Sequence, residues 1–154
     1  MIVWLTGQPG SGKTTLAKHF IDYIQSDSPN IKIINIDGDD LRSMNKNKDY
    51  SKEGRIKNIS TAISIMRFLS NKGFICVVSI VAPYKFLRDE LKNEFPFLEV
   101  YLHTQDIRGR EDFFAEDYEI PIDPKHLALD TGKLTIKESI DEVLNVYRKM
   151  ATLA

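Results

Sequence analysis

Cysteine is almost absent from this sequence, since Cys76 is the only one among its 154 residues. A disulfide within one chain is therefore excluded. Cys76 lies inside the apolar run of residues 74–78, which favours a buried thiol over a nucleophile. The histidines, at positions 19, 103 and 126, have no metal-ligand spacing and no cysteine partners, so we assign none of them to a metal.

Excess charge and long apolar stretches are also lacking. The formal net charge is −1 with 28% charged residues, which leaves no basic excess for a nucleic-acid backbone. No stretch approaches the length of a membrane span, and Met1 leads straight into an apolar run without the charged start of a secretory leader. We expect one domain over residues 1–154, in the cytoplasm, with neither nucleic acid nor membrane as a partner.

What the sequence does contain is a phosphate-binding motif. Residues 7–14 read G-x-x-x-x-G-K-T directly after the apolar run 2–5, as when a strand feeds a phosphate-cradling loop that opens a helix. Lys13 would supply positive charge to the β and γ phosphates of ATP, and Thr14 would offer a hydroxyl to Mg²⁺. The predicted nucleotide-binding residues of this P-loop are Gly7, Gln8, Pro9, Gly10, Ser11, Gly12, Lys13, Thr14 and Thr15.

Strand and helix signals alternate along the rest of the chain. The expected strands cover residues 2–5, 31–36, 74–81, 97–102 and 127–129. The expected helices cover residues 12–25, residues 56–71, a short segment after Pro83, and a final segment that reaches Met150 behind a capping box of Thr135 and Glu138. This alternation predicts an α/β fold of the P-loop NTPase type, a three-layer sandwich around a five-stranded parallel sheet.

In a parallel sheet of this kind, ligands bind beyond the carboxyl ends of the strands. Asp37 ends the second strand, where it would hold Mg²⁺ together with Thr14 or accept a proton from a substrate hydroxyl. Asp39 follows it, and Lys133 follows the fifth strand on the predicted nucleotide side. The alternative for residues 37–39 is a turn that caps the next helix.

Cationic and aromatic side chains are predicted to hold an anionic acceptor. Arginine and asparagine three residues apart share one helix face, and aromatic rings in polar segments can stack on a planar base. Solvated arginines and packing of a loop onto the body are the alternatives. The candidates are Arg42, Arg55 and Asn58, with Tyr50, Phe113 and Phe114 as the aromatic members.

Residues 107–125 are the least regular part of the sequence. Phosphotransferases often carry a mobile lid in such a segment, with arginines that neutralise charge on the transferring phosphoryl group. Arg108 is the predicted catalytic arginine, and Arg110 lies two residues away. Solvated loop charges are the alternative.

Taken in this order, the motifs resemble the adenylylsulfate kinase family. The resemblance runs over most of the chain and implies transfer of the γ-phosphoryl of ATP to the 3′-hydroxyl of adenosine 5′-phosphosulfate (APS). It implies a metal-associated base at Asp37, acceptor-holding residues at Arg42, Arg55 and Asn58, a stacking aromatic at Tyr50, and a homodimer. The matching stretches are Trp4-Leu5-Thr6-Gly7, Asp37-Gly38-Asp39-Asp40-Leu41-Arg42, Tyr50-Ser51, Ala82-Pro83-Tyr84 and Leu129-Asp130-Thr131.

The sequence departs from the family pattern on the acceptor side. Ala82, which with Val81 is expected to contact the acceptor, stands where many members have a phosphorylatable serine, and Tyr50 replaces a phenylalanine. The lid, at about residues 105–125, is shortened. Phe113 or Phe114 would be the second stacking aromatic, and Phe114 is taken as the site residue although spacing does not decide between them. The shortened lid leaves room for another acceptor, such as cytidine diphosphoramidate or a sugar intermediate. A regulatory nucleotide-binding module is the alternative from another class.

Overall fold

The structure is a computed structural model that describes residues 1–153. Its sheet confirms the predicted α/β fold, because five strands pair in parallel in the order β2-β3-β1-β4-β5. The strands are β1 (Ile2–Thr6), β2 (Ile33–Asp37), β3 (Ile75–Ser79), β4 (Phe97–His103) and β5 (Leu127–Asp130).

Helices cover both faces of this sheet and complete the three layers. They are α1 (Lys13–Asp27), α2 (Gly38–Asn45), α3 (Lys52–Asn71), α4 (Lys85–Asp89) and α5 (Ile136–Leu153). The predicted capping box at the start of α5 is present, since Thr135 and Glu138 exchange two hydrogen bonds of 2.9 and 3.1 Å. Over residues 1–153, none of the helices combines the length and the apolar character that a membrane span needs.

The central strand β1 divides the core into two halves. Val3 and Leu5 point to the face covered by α1 and α5, whereas Ile2 and Trp4 pack with α3 and the segment around α4. All five residues of β1 are buried, as expected for a strand covered on both faces. The P-loop therefore starts from the most rigidly packed strand of the molecule.

The ends of several elements, among them β2, β3 and α3, differ from the sequence-based expectation by two to four residues, and one helix was not expected. Strand β3 ends at Ser79 and not at residue 81, because the chain turns away where Ala82 has a φ of +43°. Helix α2 was not predicted, since only Leu41 of its eight residues is buried and so short a helix shows no apolar period. Asp37 starts it by accepting hydrogen bonds from two backbone N–H groups of the first turn.

Gly54 fixes the loop between α2 and α3 against the first turn of α3. A Cβ at Gly54 would lie 2.1 Å from the carbonyl oxygen of Asp49. The same loop is held by Asn47, whose side chain donates to the Gly54 carbonyl at 3.0 Å, and by Arg42, which donates to the Asp49 carbonyl at 2.9 Å. The loop that presents Tyr50 is thus seated on a position that only glycine fits.

We expect Gly54→Ala to destabilise the protein by about 1–3 kcal/mol, because the added methyl group must displace the Asp49 backbone. Urea unfolding measures the change. Gly38→Ala is the matched control, since a Cβ there meets Ile80 at an ordinary 3.5 Å. Its effect should stay within about 0.5 kcal/mol. Equal stabilities of the two variants would contradict this account of the loop.

Candidate active site

The P-loop joins β1 to α1 through two backbone conformations that favour glycine. Gly7 has a φ of +151°, and a Cβ there would lie 2.3 Å from the carbonyl oxygen of Leu102 in β4. Gly12 has a φ of +102° immediately before the first residue of α1. Because side chains disfavour both conformations, glycine lets the loop curl and directs the free N–H groups of α1 toward it.

Lys13 is buried beneath this loop. Its ammonium donates to the carbonyl oxygens of Gly7 and Gln8 at 2.9 and 2.8 Å, and to the Ser11 hydroxyl at 3.3 Å. Burial lowers the pKa of Lys13 from 10.5 to about 7, partly offset by the negative charges of Asp39 and Asp37. The Lys13 ammonium, which is predicted to bind the ATP phosphates, is therefore poorly solvated.

Asp37 joins the P-loop to the neighbouring strands. Its Oδ2 accepts hydrogen bonds from the hydroxyls of Thr14 and Ser79, both at 2.8 Å. Its Oδ1 accepts from the backbone N–H of Asp39 at 2.9 Å and of Asp40 at 3.4 Å. The carboxylate is thus both the helix cap that the sequence offered as an alternative and a neighbour of the P-loop hydroxyl. A hydroxyl and a carboxylate side by side are oxygen ligands of the kind that Mg²⁺ uses.

A single cavity of about 380 Å³ connects these groups to the predicted acceptor residues. It is bounded by the P-loop, the turn after β2, the exit of β3 and the segment around the short 3₁₀ turn Glu111–Phe113. The predicted site residues on its wall are Pro9, Gly10, Gly12, Lys13, Thr14, Thr15, Asp37, Asp39, Arg42, Tyr50, Arg55, Asn58, Val81, Ala82 and Arg108.

Two arginines and two aromatic rings form a stack on the acceptor side of this cavity. The Arg42 guanidinium lies 4.0 Å from the ring centre of Tyr50, and the Tyr50 ring lies 5.1 Å from the ring of Phe113. The Arg110 guanidinium covers Phe113 at 5.4 Å. Each ring therefore has a cation near it, which favours retention of the rings in position.

Arg55 and Asn58 do share one face of α3, as their spacing indicates. Arg55 donates to the Phe113 carbonyl at 2.9 Å and so supports the aromatic pair from behind. The Asn58 amide donates to the Gly38 carbonyl at 3.3 Å. Asn58 lines the cavity, and its Oδ1 is buried without a hydrogen-bond partner among residues 1–153.

Val81 and Ala82 contribute a strained piece of backbone to the cavity. Ala82 has a φ of +43°, a conformation that residues other than glycine rarely adopt. Thr6 holds the Val81 carbonyl at 2.6 Å, and the buried Arg88 holds the Ala82 carbonyl at 2.7 Å. Such strain persists only where neighbours enforce it, and it concentrates at functional sites.

Arg108 lies over the outer side of the P-loop. Its guanidinium donates to the carbonyl oxygens of Gly10 and Thr131, at 3.0 and 3.1 Å. These bonds link the predicted lid to the P-loop and to the turn after β5. Arg108 is therefore close to the path of a nucleotide, although its bonds are to the protein backbone.

Five predicted site residues lie off the cavity wall. Gly7, Gln8 and Ser11 shape the P-loop from behind. The Lys133 side chain is 85% exposed, 3.9 Å from Asp130. Phe114 also lies outside, whereas Phe113, the aromatic not chosen for the site, is on the wall. The rings of consecutive residues point in different directions, and the sequence does not tell which one turns inward.

Ser79 is a cavity residue that was not predicted from the sequence. It hydrogen-bonds Asp37 and lines the cavity. The pairing register of β2 and β3, which places Asp37 opposite Ser79, was the available signal. Ser79 could have been identified as the hydroxyl residue that pairs with Asp37, the acidic residue at the carboxyl end of β2.

Comparison with known proteins identifies the family. The family model described as adenylylsulphate kinase matches residues 1–112 of the chain. The chain belongs to the adenylylsulphate kinase family. A probable adenylyl-sulfate kinase of Aeropyrum pernix is 29% identical over 172 residues, covering 96% of this chain and 92% of that protein.

Solved structures support the fold. The crystal structure of APE1195 superposes with a TM-score of 0.82 at 29% identity, covering 97% of this chain and 96% of that one. The Mycobacterium tuberculosis APS kinase CysC, solved with AMPPNP and APS, has a TM-score of 0.77 at 21% identity, covering 96% of each chain, and supports the fold. As a member of this kinase family, the chain is an ATP-dependent phosphotransferase.

The buried Lys13 predicts proton uptake when this kinase binds nucleotide. The phosphates favour the charged ammonium and raise its pKa above the starting value of about 7. At pH 8, binding of AMPPNP should therefore take up a proton, and affinity should fall as pH rises from 7 to 9. Calorimetric titration in two buffers of different ionisation enthalpy measures the uptake.

Lys13→Arg is the control, because a guanidinium stays protonated over this range. Its binding should show no lysine-linked uptake at pH 8. Equal proton uptake by both proteins would contradict the assignment to Lys13.

Proposed function

We propose that this kinase transfers the γ-phosphoryl of ATP to the 3′-hydroxyl of APS, giving 3′-phosphoadenylyl sulfate and ADP. One observation carries the proposal: the P-loop and Asp37 face the same cavity as the arginine and aromatic set on the opposite wall. ATP and APS bound in that cavity would lie next to each other without intervening solvent. Alignment of two reactants is a large part of phosphoryl-transfer catalysis.

The donor side of the proposal rests on Lys13, Thr14 and Asp37. Lys13 would move from the P-loop carbonyl oxygens to the β and γ phosphates, since a phosphate oxygen is the stronger partner. Thr14 and Asp37 would hold Mg²⁺, with phosphate oxygens and water as the other ligands. When bound, this ion would neutralise negative charge on the phosphates.

Asp37 fits the metal role better than the role of base. Its two oxygens already accept four hydrogen bonds, from Thr14, Ser79 and the N–H groups of Asp39 and Asp40. A carboxylate has about four acceptor positions. Mg²⁺ could replace the Thr14 hydrogen bond because Thr14 would bind the same ion, whereas a proton on Asp37 would leave one of the donors without an acceptor. Asp39 lines the cavity with an exposed side chain, and it is the carboxylate that we propose to orient the acceptor hydroxyl.

The acceptor side rests on the stack described above. The adenine of APS would lie between Tyr50 and Phe113, with Arg42 and Arg110 near its sulfated phosphate. Asn58, on the cavity wall, would hydrogen-bond the acceptor through its amide. Arg108 would approach the phosphate chain from the P-loop side.

Another nucleotide-linked acceptor is the alternative. It is included in the test because the match to the family model ends at residue 112, before Phe113. Cytidine diphosphoramidate would present a smaller base to the same stack. A coupled ADP-release assay against APS, cytidine diphosphoramidate and sugar acceptors decides between them. Turnover with another acceptor but not with APS would overturn the proposal.

Location in the cytoplasm and assembly as a homodimer remain predictions.

Substitution of the two aspartates should separate their roles. In Asp37→Asn we expect kcat to fall by about 10²-fold or more, with a higher Mg²⁺ concentration needed for half-maximal rate. Asp39→Asn should lower kcat by a similar factor, about 10²-fold, without changing the Mg²⁺ requirement. Mg²⁺ titrations of the initial rate measure both effects. An unchanged Mg²⁺ requirement in Asp37→Asn would remove it from the metal site.

Loss of the Tyr50 ring should weaken acceptor binding. Base stacking is worth about 1–3 kcal/mol by alanine substitution, so Tyr50→Ala should raise the KM for APS about 5- to 150-fold. The KM for ATP should stay unchanged, because the Tyr50 ring packs against Arg42 and Phe113. Tyr50→Phe keeps the ring and is the matched control. If Tyr50→Phe loses as much as Tyr50→Ala, the hydroxyl and not stacking is responsible.

A further inference from the structure

Residues 113–119, here called the strap, begin at Phe113 on the cavity wall and are fixed by side chains from several elements. Arg55 in α3 donates to the Phe113 carbonyl at 2.9 Å. Thr6 at the end of β1 shares a 2.6 Å hydrogen bond with the hydroxyl of Tyr118. A segment held at several points opens less readily than an unattached loop. These contacts therefore hold the strap, whose first residue, Phe113, lies on the cavity wall.

Gln8 supplies the connection between the P-loop and this strap. Its side-chain Nε2 donates to the Ala115 carbonyl at 2.8 Å, and its Oε1 accepts from the Ala115 backbone N–H at 2.9 Å. Both polar atoms of the carboxamide are thus used by one buried residue, in the reciprocal pattern of a paired strand residue. The pair fixes position and orientation together.

The backbone carbonyl of Gln8 contacts Lys13, the residue that we expect to move when nucleotide binds. Its carbonyl accepts a 2.8 Å hydrogen bond from the ammonium of Lys13. Any shift of Lys13 toward phosphate changes this bond. Gln8 is therefore in contact with Lys13 through its backbone and with Ala115 through its side chain, and Ala115 is two residues from Phe113.

We propose that Gln8 is a positioning residue that couples nucleotide binding at the P-loop to acceptor binding at Tyr50 and Phe113. Bound nucleotide orders the P-loop, and the two Gln8 hydrogen bonds extend this order to the strap. The acceptor then meets a Phe113 that has already lost much of its freedom, so it binds more tightly when nucleotide is present. This step rests on the proposed acceptor function, and the experiment below separates the two.

The affinity for APS measured with and without AMPPNP and Mg²⁺ tests the coupling. For the unaltered protein we expect the Kd for APS to fall by about fivefold or more when AMPPNP is bound, within the usual range of coupling between sites. In Gln8→Met, which keeps the length of the side chain and removes both hydrogen bonds, the ratio should lie near one. Gln8→Glu keeps only the acceptor atom and should give an intermediate ratio.

Tyr118→Phe is the matched control, because it removes the strap hydrogen bond to Thr6 and leaves Gln8 intact. Its Kd ratio should stay like that of the unaltered protein. If Tyr118→Phe and Gln8→Met lose the ratio equally, general strap rigidity and not Gln8 is responsible. A ratio of one in the unaltered protein, or a full ratio in Gln8→Met, overturns the proposal.

Hydrogen exchange with AMPPNP alone tests Gln8 without any acceptor. We expect the amides of residues 113–119 to exchange more slowly when AMPPNP is added. In Gln8→Met the slowing should be confined to the P-loop. If APS fails to bind any of these proteins but this pattern is found, the acceptor assignment fails and the role of Gln8 stands. Slowing of the strap that persists in Gln8→Met overturns the role of Gln8.

Discussion

The carboxylate of Asp37 is the interaction on which the site depends. It receives the hydroxyl of Thr14 from the P-loop, the hydroxyl of Ser79 from β3 and the first N–H groups of α2. Three elements that are separate in sequence therefore converge on one buried anion. Because each partner donates a hydrogen bond to it, the carboxylate stays satisfied away from water, and the P-loop stays in register with the neighbouring strands.

Burial in the same region lowers the pKa of the P-loop lysine, Lys13. Lys13 is held under the P-loop by carbonyl oxygens, in a place where its charge is poorly solvated. A phosphate chain that enters the loop offers the ammonium a stronger partner than those carbonyl oxygens do. The strained Ala82 and the Val81 carbonyl, both enforced by neighbours, fix the opposite wall. The protein's own contacts thus fix polar groups on both walls of the cavity, and preorganised polar groups supply much of enzymatic rate enhancement.

The sequence was sufficient for the sheet, the P-loop and Asp37, because these follow from apolar runs and from a motif with fixed spacing. It was insufficient for α2, whose single buried residue leaves no period to detect. It also chose Phe114 where the structure brings Phe113 to the cavity, and it passed over Ser79. Those choices depend on the direction of a side chain in an irregular segment and on strand register, which arise only when distant parts of the chain pack together.

The closed stack of Tyr50 and Phe113 has a consequence for association kinetics. The Tyr50 and Phe113 ring centres lie 5.1 Å apart with their planes tilted by 57°, whereas a base between two parallel rings needs about 3.5 Å on each side, or about 7 Å in all. Because Gln8 and Arg55 hold the strap that carries Phe113, the Tyr50 ring would have to move before a base can enter, and the Arg42 guanidinium over that ring opposes the movement. Capture is then limited by how often the aromatic gate opens, so the observed on-rate would level off at high ligand concentration instead of rising with every collision.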